Sequence, residues 1–239
     1  MVRGIPMSKL PNHTLSDTAY DLIKKDIVTC VLDPGQFIGQ AELAEKFGVG
    51  LTPVREALRR LTQEGFVRVV PRMGYIISQI TPQDIQEVFE LRLILESAAA
   101  RLAASRALDS TLSQLEQTAG YTYTFKERQS YIGFLNHNAD FHISIAASTG
   151  NQRLALAVAK IMDELTRVFH LGLDLRDSAE EMRADHHSLV EALRQRDPDL
   201  AEKCVRAEIT RSRERVLEAL KRYPNVNALK GETNNSHAN

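Results

Sequence analysis

Residues 40–80 constrain the fold more than any other part of the chain. The segment from Gln40 to Phe47 has an apolar helix face and ends at Gly48, a residue suited to the left-handed conformation that stops a helix. A tight turn and a second helical pattern follow over 52–64, again with apolar residues at helical spacing. This order predicts a helix-turn-helix, with Thr52 capping the amino end of the second helix.

Two short β-rich segments, 66–70 and 75–79, follow the second helix and flank a short turn. A hairpin in this position is typical of a wing. An earlier helical pattern over 16–31, which the following Asp-Pro-Gly would end, completes a three-helix core. We therefore predict a winged helix-turn-helix domain over 1–80. The alternative is a generic helical hairpin followed by a two-stranded ribbon.

Basic side chains indicate that the partner of this domain is DNA. Arg55 and Arg59 lie one turn apart on the face of the second helix that its apolar residues leave free, so both can reach a major groove. Although the net charge of the whole chain is only −1, the position of the arginines matters more than the sum. The residues expected to contact DNA are Thr52, Arg55, Arg59, Arg72 and Gly74.

Beyond the wing, the hydrophobic pattern is helical throughout. A strong helix start at Thr81 to Asp84 opens a series of six stretches. The predicted helices span 82–106, 110–128, 130–148, 151–175, 179–194 and 198–222. They predict an all-α antiparallel bundle over 81–224, which makes the protein mainly α. An Asn-rich tail, 225–239, is expected to be disordered.

Composition excludes several classes of protein. With 239 residues, 43% of them hydrophobic and 26% charged, the chain can form a full core. No apolar run approaches the roughly 20 residues that span a bilayer, and the amino terminus lacks the apolar core of a signal peptide, so we expect no membrane partner and a cytoplasmic location. Cys30 and Cys204 lie on apolar faces of different predicted domains and neither belongs to a C-x-x-C pair, which favours buried free thiols over a disulfide or a cysteine zinc site.

Four polar residues fall on helix faces of the bundle that should be buried. Asn138 and His142 lie one turn apart on the third helix, His186 interrupts the apolar face of the fifth, and Glu208 that of the sixth. A buried carboxylate is costly unless it is paired or bound to a metal. Two imidazoles, an amide oxygen and a carboxylate on three facing helices can surround one divalent ion. For each histidine alone, the alternative is a hydrogen-bonded core residue.

Arg92 also points inward, on the first helix of the bundle. A buried guanidinium requires an anion. One candidate is Glu96, one turn further along the same helix.

These motifs resemble the GntR family of bacterial transcription regulators, and the helical half is similar to the FCD effector domain of the FadR subfamily, in its six-helix, VanR-like group. The string Thr-Pro-Val-Arg-Glu-Ala-Leu at 52–58 is the most specific marker of the resemblance. The chain departs from the pattern at Ala41 and Leu51, where many relatives carry basic residues. Arg55, Arg59 and the wing are therefore expected to contribute more of the binding.

The resemblance also extends to the bundle interior. Metal-binding FCD domains carry Asp or Asn one turn before a Phe-His pair, a His that opens a later helix and a His in the last helix. Asn138, Phe141-His142 and Asp185-His186 match this pattern, whereas Glu208 stands where relatives have the third histidine. Zn²⁺ is the ion expected, with Ni²⁺ or Mn²⁺ as alternatives. The neighbouring His187 is expected to face solvent.

The resemblance implies a homodimeric regulator, with repression the expected mode, that binds a palindromic operator in double-stranded DNA and responds to a small carboxylate near Arg92. Two other classes remain as alternatives: a helical metal-dependent enzyme with an accessory winged helix, and an architectural DNA-binding protein. Against the enzyme, no His has Glu three residues before it, and neither H-E-x-x-H nor G-x-S-x-G occurs. An architectural protein would leave the inward polar residues unexplained.

Overall fold

The computed structural model describes residues 14–173 and 176–221 of the chain. The chain divides between Gln79 and Ile80 into two compact units. Within the described residues, no helix has both the length and the apolar character needed to cross a membrane. The tail for which disorder was predicted, 225–239, lies outside the described residues.

The first unit contains three helices and a small antiparallel sheet. Its elements are α1 (Leu15–Val28), β1 (Phe37–Ile38), α2 (Gln40–Phe47), α3 (Leu51–Gln63), β2 (Val67–Val70) and β3 (Gly74–Ile77). The strand order is β1-β3-β2, with Val70 opposite Gly74 at the tip of the hairpin. The winged helix-turn-helix predicted from the sequence is confirmed, and β1 is an additional strand that the sequence did not predict.

Local sequence explains where these helices begin and end. At the start of α1, Thr14 and Asp17 form a reciprocal capping box. Gly48 ends α2 in the left-handed conformation, with φ 64°, as predicted. The core of the unit consists of buried residues at helical spacing, including Ile23 on α1 and Leu58 and Leu61 on α3.

Two expectations about these helix ends are wrong. α1 ends at Val28 rather than at 31, because the chain turns at Cys30, where φ is positive. Thr52 does not cap α3, because the helix starts at Leu51 and Thr52 is already its second residue. Gly50 is the N-cap residue, and it makes no side-chain cap hydrogen bond.

The second unit is a bundle of six helices. They are α4 (Pro82–Arg106), α5 (Asp109–Ala119), α6 (Arg128–Ser148), α7 (Gln152–Leu173), α8 (Ala179–Arg194) and α9 (Pro198–Lys221). The N-cap Thr81 forms a capping box with Asp84 and Pro82 occupies the first turn, so α4 starts where the sequence predicts. α4 packs mainly against α9 and also against α6, α7 and α8, which places it in the centre of the bundle.

Two details of the bundle differ from expectation. α5 ends at Ala119, nine residues before the predicted 128, because Gly120 follows it and the chain continues as an irregular loop. α8 begins at the expected place, and although Ser178 and Glu181 have the spacing of a capping box, they do not form one. The Ser178 hydroxyl lies instead 3.5 Å from the hydroxyl of Tyr123.

Candidate functional site

A buried polar centre lies inside the second unit, where four helices meet. Each helix brings a polar side chain to the centre from a face that is otherwise apolar. Each of these residues is at most 5% exposed. The members of the centre are Arg92 and Glu96 on α4, His142 on α6, His186 on α8 and Glu208 on α9.

The Arg92 guanidinium occupies the middle of this centre. Its Nε donates to Glu96 Oε1 at 2.7 Å, and its Nη2 donates to Glu208 Oε1 at 3.0 Å. Nη2 also lies 3.1 Å from His142 Nε2. Glu96 is therefore a partner of Arg92, as one alternative expected, and Glu208 from α9 is a second carboxylate partner.

His142 is held between the same two carboxylates. Its Nδ1 lies 2.7 Å from Glu96 Oε2, and its Nε2 lies 3.2 Å from Glu208 Oε1. The first contact is short, yet it is not aligned for a hydrogen bond, so we treat it as an ion-pair contact. A carboxylate at Nδ1 orients the ring and leaves Nε2 as the nitrogen that faces the centre.

The surroundings shift the two histidine pKa values in opposite directions. Burial alone would lower the pKa of His142, but the carboxylates of Glu96 and Glu208 raise it to about 9. Burial lowers the pKa of His186 to about 4, and Glu208 offsets only part of that effect. At neutral pH, His142 is therefore protonated and His186 is neutral.

The two buried carboxylates stay ionised. Burial opposes the charge of Glu208, but His142, His186 and Arg92 hold the pKa of that carboxyl well below its usual range. Arg92 and His142 likewise lower the pKa of Glu96. With two carboxylates, one guanidinium and one imidazolium, the charges of the centre balance.

Three of the four predicted metal ligands come together in this centre. One ligand atom each from His142, His186 and Glu208 lies within 4.8 Å of the others. Glu208 Oε2 is buried and has no hydrogen-bond partner among the described residues. Two imidazoles and a carboxylate are a suitable donor set for Zn²⁺, so these residues fit a metal, provided that the Arg92 side chain yields its contacts with His142 and Glu208.

The remaining predicted residues lie close to the expected places. Asn138 is buried one turn before His142 on α6, which places it on the same helix face. His187 is half-buried, and its Nδ1 lies 3.1 Å from Glu116 Oε1, so it is not part of the centre. Asp185, which precedes His186, pairs with Arg211 on α9.

Sequence reasoning missed the role of Glu96 towards His142. It identified Glu96 only as a partner for Arg92. The sequence contained a signal for this role, because Glu96 lies on the same buried face of α4 as Arg92. Two buried charged side chains on one helix face require charged partners from other helices as well as each other.

The first unit exposes the predicted DNA-contact residues on one helix and one hairpin tip. Thr52, Arg55 and Arg59 are exposed on α3, and Arg55 Nε donates a long hydrogen bond, 3.4 Å, to Gln40. Arg60, by contrast, is held against α1 by Asp17 at 2.8 Å, so it is a packing residue.

The hairpin tip has two residues with positive φ. Arg72 is exposed with φ 66°, a conformation that residues other than glycine rarely adopt. Gly74 has φ 101°, and a Cβ there would lie 3.4 Å from the carbonyl oxygen of Ile38. The backbone therefore explains why position 74 is glycine, without any contact to DNA.

Comparisons with known proteins agree on both halves of the chain. Residues 15–77 match the model of the bacterial regulatory proteins of the gntR family, and residues 87–211 match that of the FCD domain. The chain is 26% identical over 195 residues to the HTH-type transcriptional repressor RspR of Escherichia coli (strain K12), covering 82% of this chain and 86% of the relative.

A further relative and a solved structure extend the match over most of the chain. The HTH-type transcriptional repressor GlaR of the same strain is 27% identical over 201 residues, covering 78% of this chain and 89% of the relative. The structure of E. coli McbR/YncC superposes with a TM-score of 0.72 at 23% identity, covering 88% of this chain and 99% of that chain. At this identity, the likeness concerns the fold.

Proposed function

Because the chain belongs to the GntR family of bacterial regulatory proteins and carries an FCD domain, it is a transcriptional regulator, and we propose that it is a cytoplasmic repressor whose buried centre binds a metal ion and a small carboxylate. The family and the similar proteins are regulators and not enzymes, so the alternative of a metal-dependent enzyme is set aside. The names of RspR and GlaR favour repression over activation.

In this proposal, α3 is the recognition helix. Arg55 and Arg59 project from the exposed face of α3, opposite the buried Leu58 and Leu61, and can reach base edges in a major groove. Arg72 at the wing tip can reach a phosphate. Thr52 in the first turn of α3 and Gly74 beside the tip lie next to these arginines in sequence.

Selection of binding sites from random DNA, followed by gel shifts, tests the DNA half. We expect an inverted repeat, and we expect Arg55→Ala to weaken operator binding by about 1–3 kcal/mol. The control is Arg206→Ala, which removes an exposed arginine of α9. Unchanged operator affinity for Arg55→Ala, or equal losses for the two variants, would refute the role of α3.

An exposed stripe on α4 supports a homodimer with two-fold symmetry. Leu91 and Ile94 are 47% and 65% exposed, two acidic residues lie before them, and an arginine lies after them. Spacings that alternate between three and four residues align the stripe along one helix face. The stripe consists of Asp84, Glu87, Leu91, Ile94, Ala98 and Arg101.

The stripe is complementary to itself when two copies of α4 pair in antiparallel orientation about a point between positions 92 and 93. Leu91 then faces Ile94 of the second copy, and Asp84 faces Arg101 of the second copy. Such pairing repeats every contact twice, as a two-fold interface requires. A symmetric dimer would also match a palindromic operator, since each half-site takes one recognition helix.

Sedimentation of the full chain tests this interface. Ile94→Asp should convert the dimer into a monomer, because it places a charge at the apolar middle of the stripe. Leu156→Asp is the matched control, since Leu156 is 71% exposed on α7, outside the stripe. A wild-type monomer would refute the dimer itself, and a dimeric Ile94→Asp would refute this surface.

For the ligand-binding half, the observation that carries the proposal is the buried donor set. His142, His186 and Glu208 would hold the ion, with Asn138 as the fourth protein ligand and Zn²⁺ as the favoured metal over Ni²⁺ or Mn²⁺. Glu96 would orient His142 through Nδ1. When bound, the ion supplies a Lewis-acidic position for a carboxylate oxygen.

Arg92 would receive the same carboxylate. With Glu208 and His142 bound to the ion, Nη2 of Arg92 loses its contacts at 3.0 and 3.1 Å, whereas Nε keeps its hydrogen bond to Glu96. A guanidinium released in this way can donate two parallel hydrogen bonds to a carboxylate. The ligand changes operator affinity only if it binds two arrangements of the protein unequally, and a tenfold change requires about 1.4 kcal/mol of difference.

Elemental analysis and gel shifts of one double variant test this part. His142→Ala with His186→Ala should abolish zinc content and the response to carboxylates, and should leave DNA binding in their absence intact. His187→Ala is the control, because that imidazole lies next in sequence but outside the centre. Wild-type protein offered zinc and containing none would refute the metal, and an unchanged response of the double variant would refute the site.

A further inference from the structure

A small cavity adjoins the buried centre at the ends of α7, α8 and α9. Its volume is about 30 Å³, enough for one water molecule, so it would have to widen to admit a larger group. Four polar residues line it together with apolar side chains such as Phe169 and Val216. These polar residues are Arg176, Ser178, Ser212 and Arg215.

Ser212 links the cavity to the buried centre. Its hydroxyl accepts a long hydrogen bond, 3.5 Å, from Arg92 Nη1, and it lies one turn beyond Glu208 on α9. Met182, another lining residue, lies one turn before His186 on α8. A ligand bound in the centre would therefore meet this cavity as its neighbouring space.

Arg215 is a largely buried cation whose ion-pair partner among the described residues is a half-exposed carboxylate. Its side chain is 11% exposed, and it pairs with Glu181 Oε2 at 3.4 Å. That carboxylate is 45% exposed and also pairs with Arg176. Burial lowers the pKa of Arg215, and the nearby carboxylates offset only part of that effect.

Arg92 shows what a fully compensated arginine looks like in the same unit. It contacts two buried carboxylates, Glu96 and Glu208, which raise its pKa despite complete burial. Among the described residues, Arg215 forms an ion pair with one carboxylate, that of Glu181, so it retains more capacity for an added anion than Arg92 does.

We propose that this cavity, with Arg215 as its main donor, is a second anion subsite, and that the effector is a small metabolite with two carboxylates. The inference rests on the proposed metal and carboxylate site, which would hold the first carboxylate. Glu208 and Arg215 lie seven residues apart on α9, which is two turns or about 10 Å along the axis. The two carboxyl carbons of a four- to six-carbon dicarboxylate are roughly 4–6 Å apart. The Arg215 side chain would cover the remaining distance, because side chains on a helix lean towards its amino end and therefore towards Glu208.

In this proposal, Glu181 acts as an internal competitor. The second carboxylate of the ligand replaces Glu181 at Arg215, and Glu181 keeps Arg176 as a partner at the surface. Removing Glu181 should therefore strengthen ligand binding, whereas removing Arg215 should weaken it. A misfolded variant does not produce a gain in affinity, so the two changes of opposite sign separate this subsite from a structural role.

Calorimetry on the zinc-loaded full chain tests the subsite. The probes are succinate, glutarate and adipate, each compared with the monocarboxylate of the same carbon number: butyrate, pentanoate and hexanoate. At least one dicarboxylate should bind about tenfold more tightly than its counterpart. Arg215→Gln should remove that preference, Glu181→Gln should widen it, and Arg213→Gln, an exposed arginine of the same helix, should leave it unchanged.

The outcomes distinguish this inference from the function on which it rests. Equal affinities for every dicarboxylate and its counterpart would overturn the second subsite while leaving the metal and first carboxylate in place. A preference that persists in Arg215→Gln would overturn the role assigned to Arg215. If no carboxylate of either kind binds, the effector site and this inference fall together.

Discussion

Replacing Arg92 with methionine would test the buried centre most directly. Methionine keeps a similar length and removes the charge, so Glu96 and Glu208 would share His142 as their one remaining cation in the centre. Removing one partner of a buried ion pair costs about 3–5 kcal/mol. Since Arg92 is 1% exposed, solvent screening reduces this figure little. For a protein of this size, the expected fall in Tm is roughly 6–20 °C.

Zinc should partly reverse the loss. Arg92 Nη2 lies within 3.1 Å of His142 Nε2 and within 3.0 Å of Glu208 Oε1, so in the wild type the guanidinium competes with an ion for the same two ligands. In Arg92→Met, zinc would meet no such competitor. When the zinc concentration is a hundred times the Kd, binding adds about 2.7 kcal/mol to the free energy of unfolding of a protein that binds zinc only in its folded state. The variant, with the lower Kd, should therefore gain more than the wild type.

The measurement is urea unfolding followed by circular dichroism, with chelator and then with zinc. Arg206→Met is the control, because that arginine is half exposed and pairs with Glu202 on the same helix. Its loss should cost under about 1 kcal/mol. An unchanged urea midpoint for Arg92→Met in chelator would refute the charge balance of the centre. An equal or larger gain from zinc in the wild type would refute the competition.

Three further outcomes follow from the described geometry. Zinc binding near pH 7 should release one proton. His142, with a pKa of about 9, must lose a proton to coordinate, whereas His186, with a pKa of about 4, is already neutral. Calorimetry in buffers of different ionisation enthalpy measures the number of protons released. The metal-free protein should be most stable near pH 6.5, as judged by urea midpoints across pH. Stability from neutral His186 is lost as pH falls towards 4, and stability from charged His142 is lost as pH rises towards 9. Arg72→Gly should raise stability by up to about 1 kcal/mol, because it relieves the positive φ, and should still weaken DNA binding in gel shifts, because it removes a cation from the wing tip.

Features that depend on neighbouring residues could be predicted from the sequence. The helical spacing of Leu58 and Leu61 and the left-handed Gly48 define α2 and α3 without reference to distant parts of the chain. The bounds of α4 are those expected, because a capping box at Thr81 marks its start locally. Thr52 shows the limit of this reasoning, since α3 starts at Leu51 and its N-cap residue is Gly50, so Thr52 lies inside the helix and has no capping role.

The same periodicity identified which polar side chains point inward, but it did not decide what they contact. His142, His186 and Glu208 were predicted to share one space, because each interrupts the apolar face of its helix. The position of the Arg92 guanidinium between His142 and Glu208 depends on how α4, α6 and α9 pack, and no local pattern encodes that packing.

Non-local pairing explains the remaining differences. Strand β1 has two residues, Phe37–Ile38, too few for an alternating pattern, and it exists because β3 offers a free edge. Arg215 likewise looks like any exposed arginine of an amphipathic helix in the sequence. Its burial arises from the ends of α7 and α8 that close over it. The sequence by itself thus determined the elements and their inward faces, whereas tertiary packing decided which charges are compensated, because compensation is a property of distances between helices.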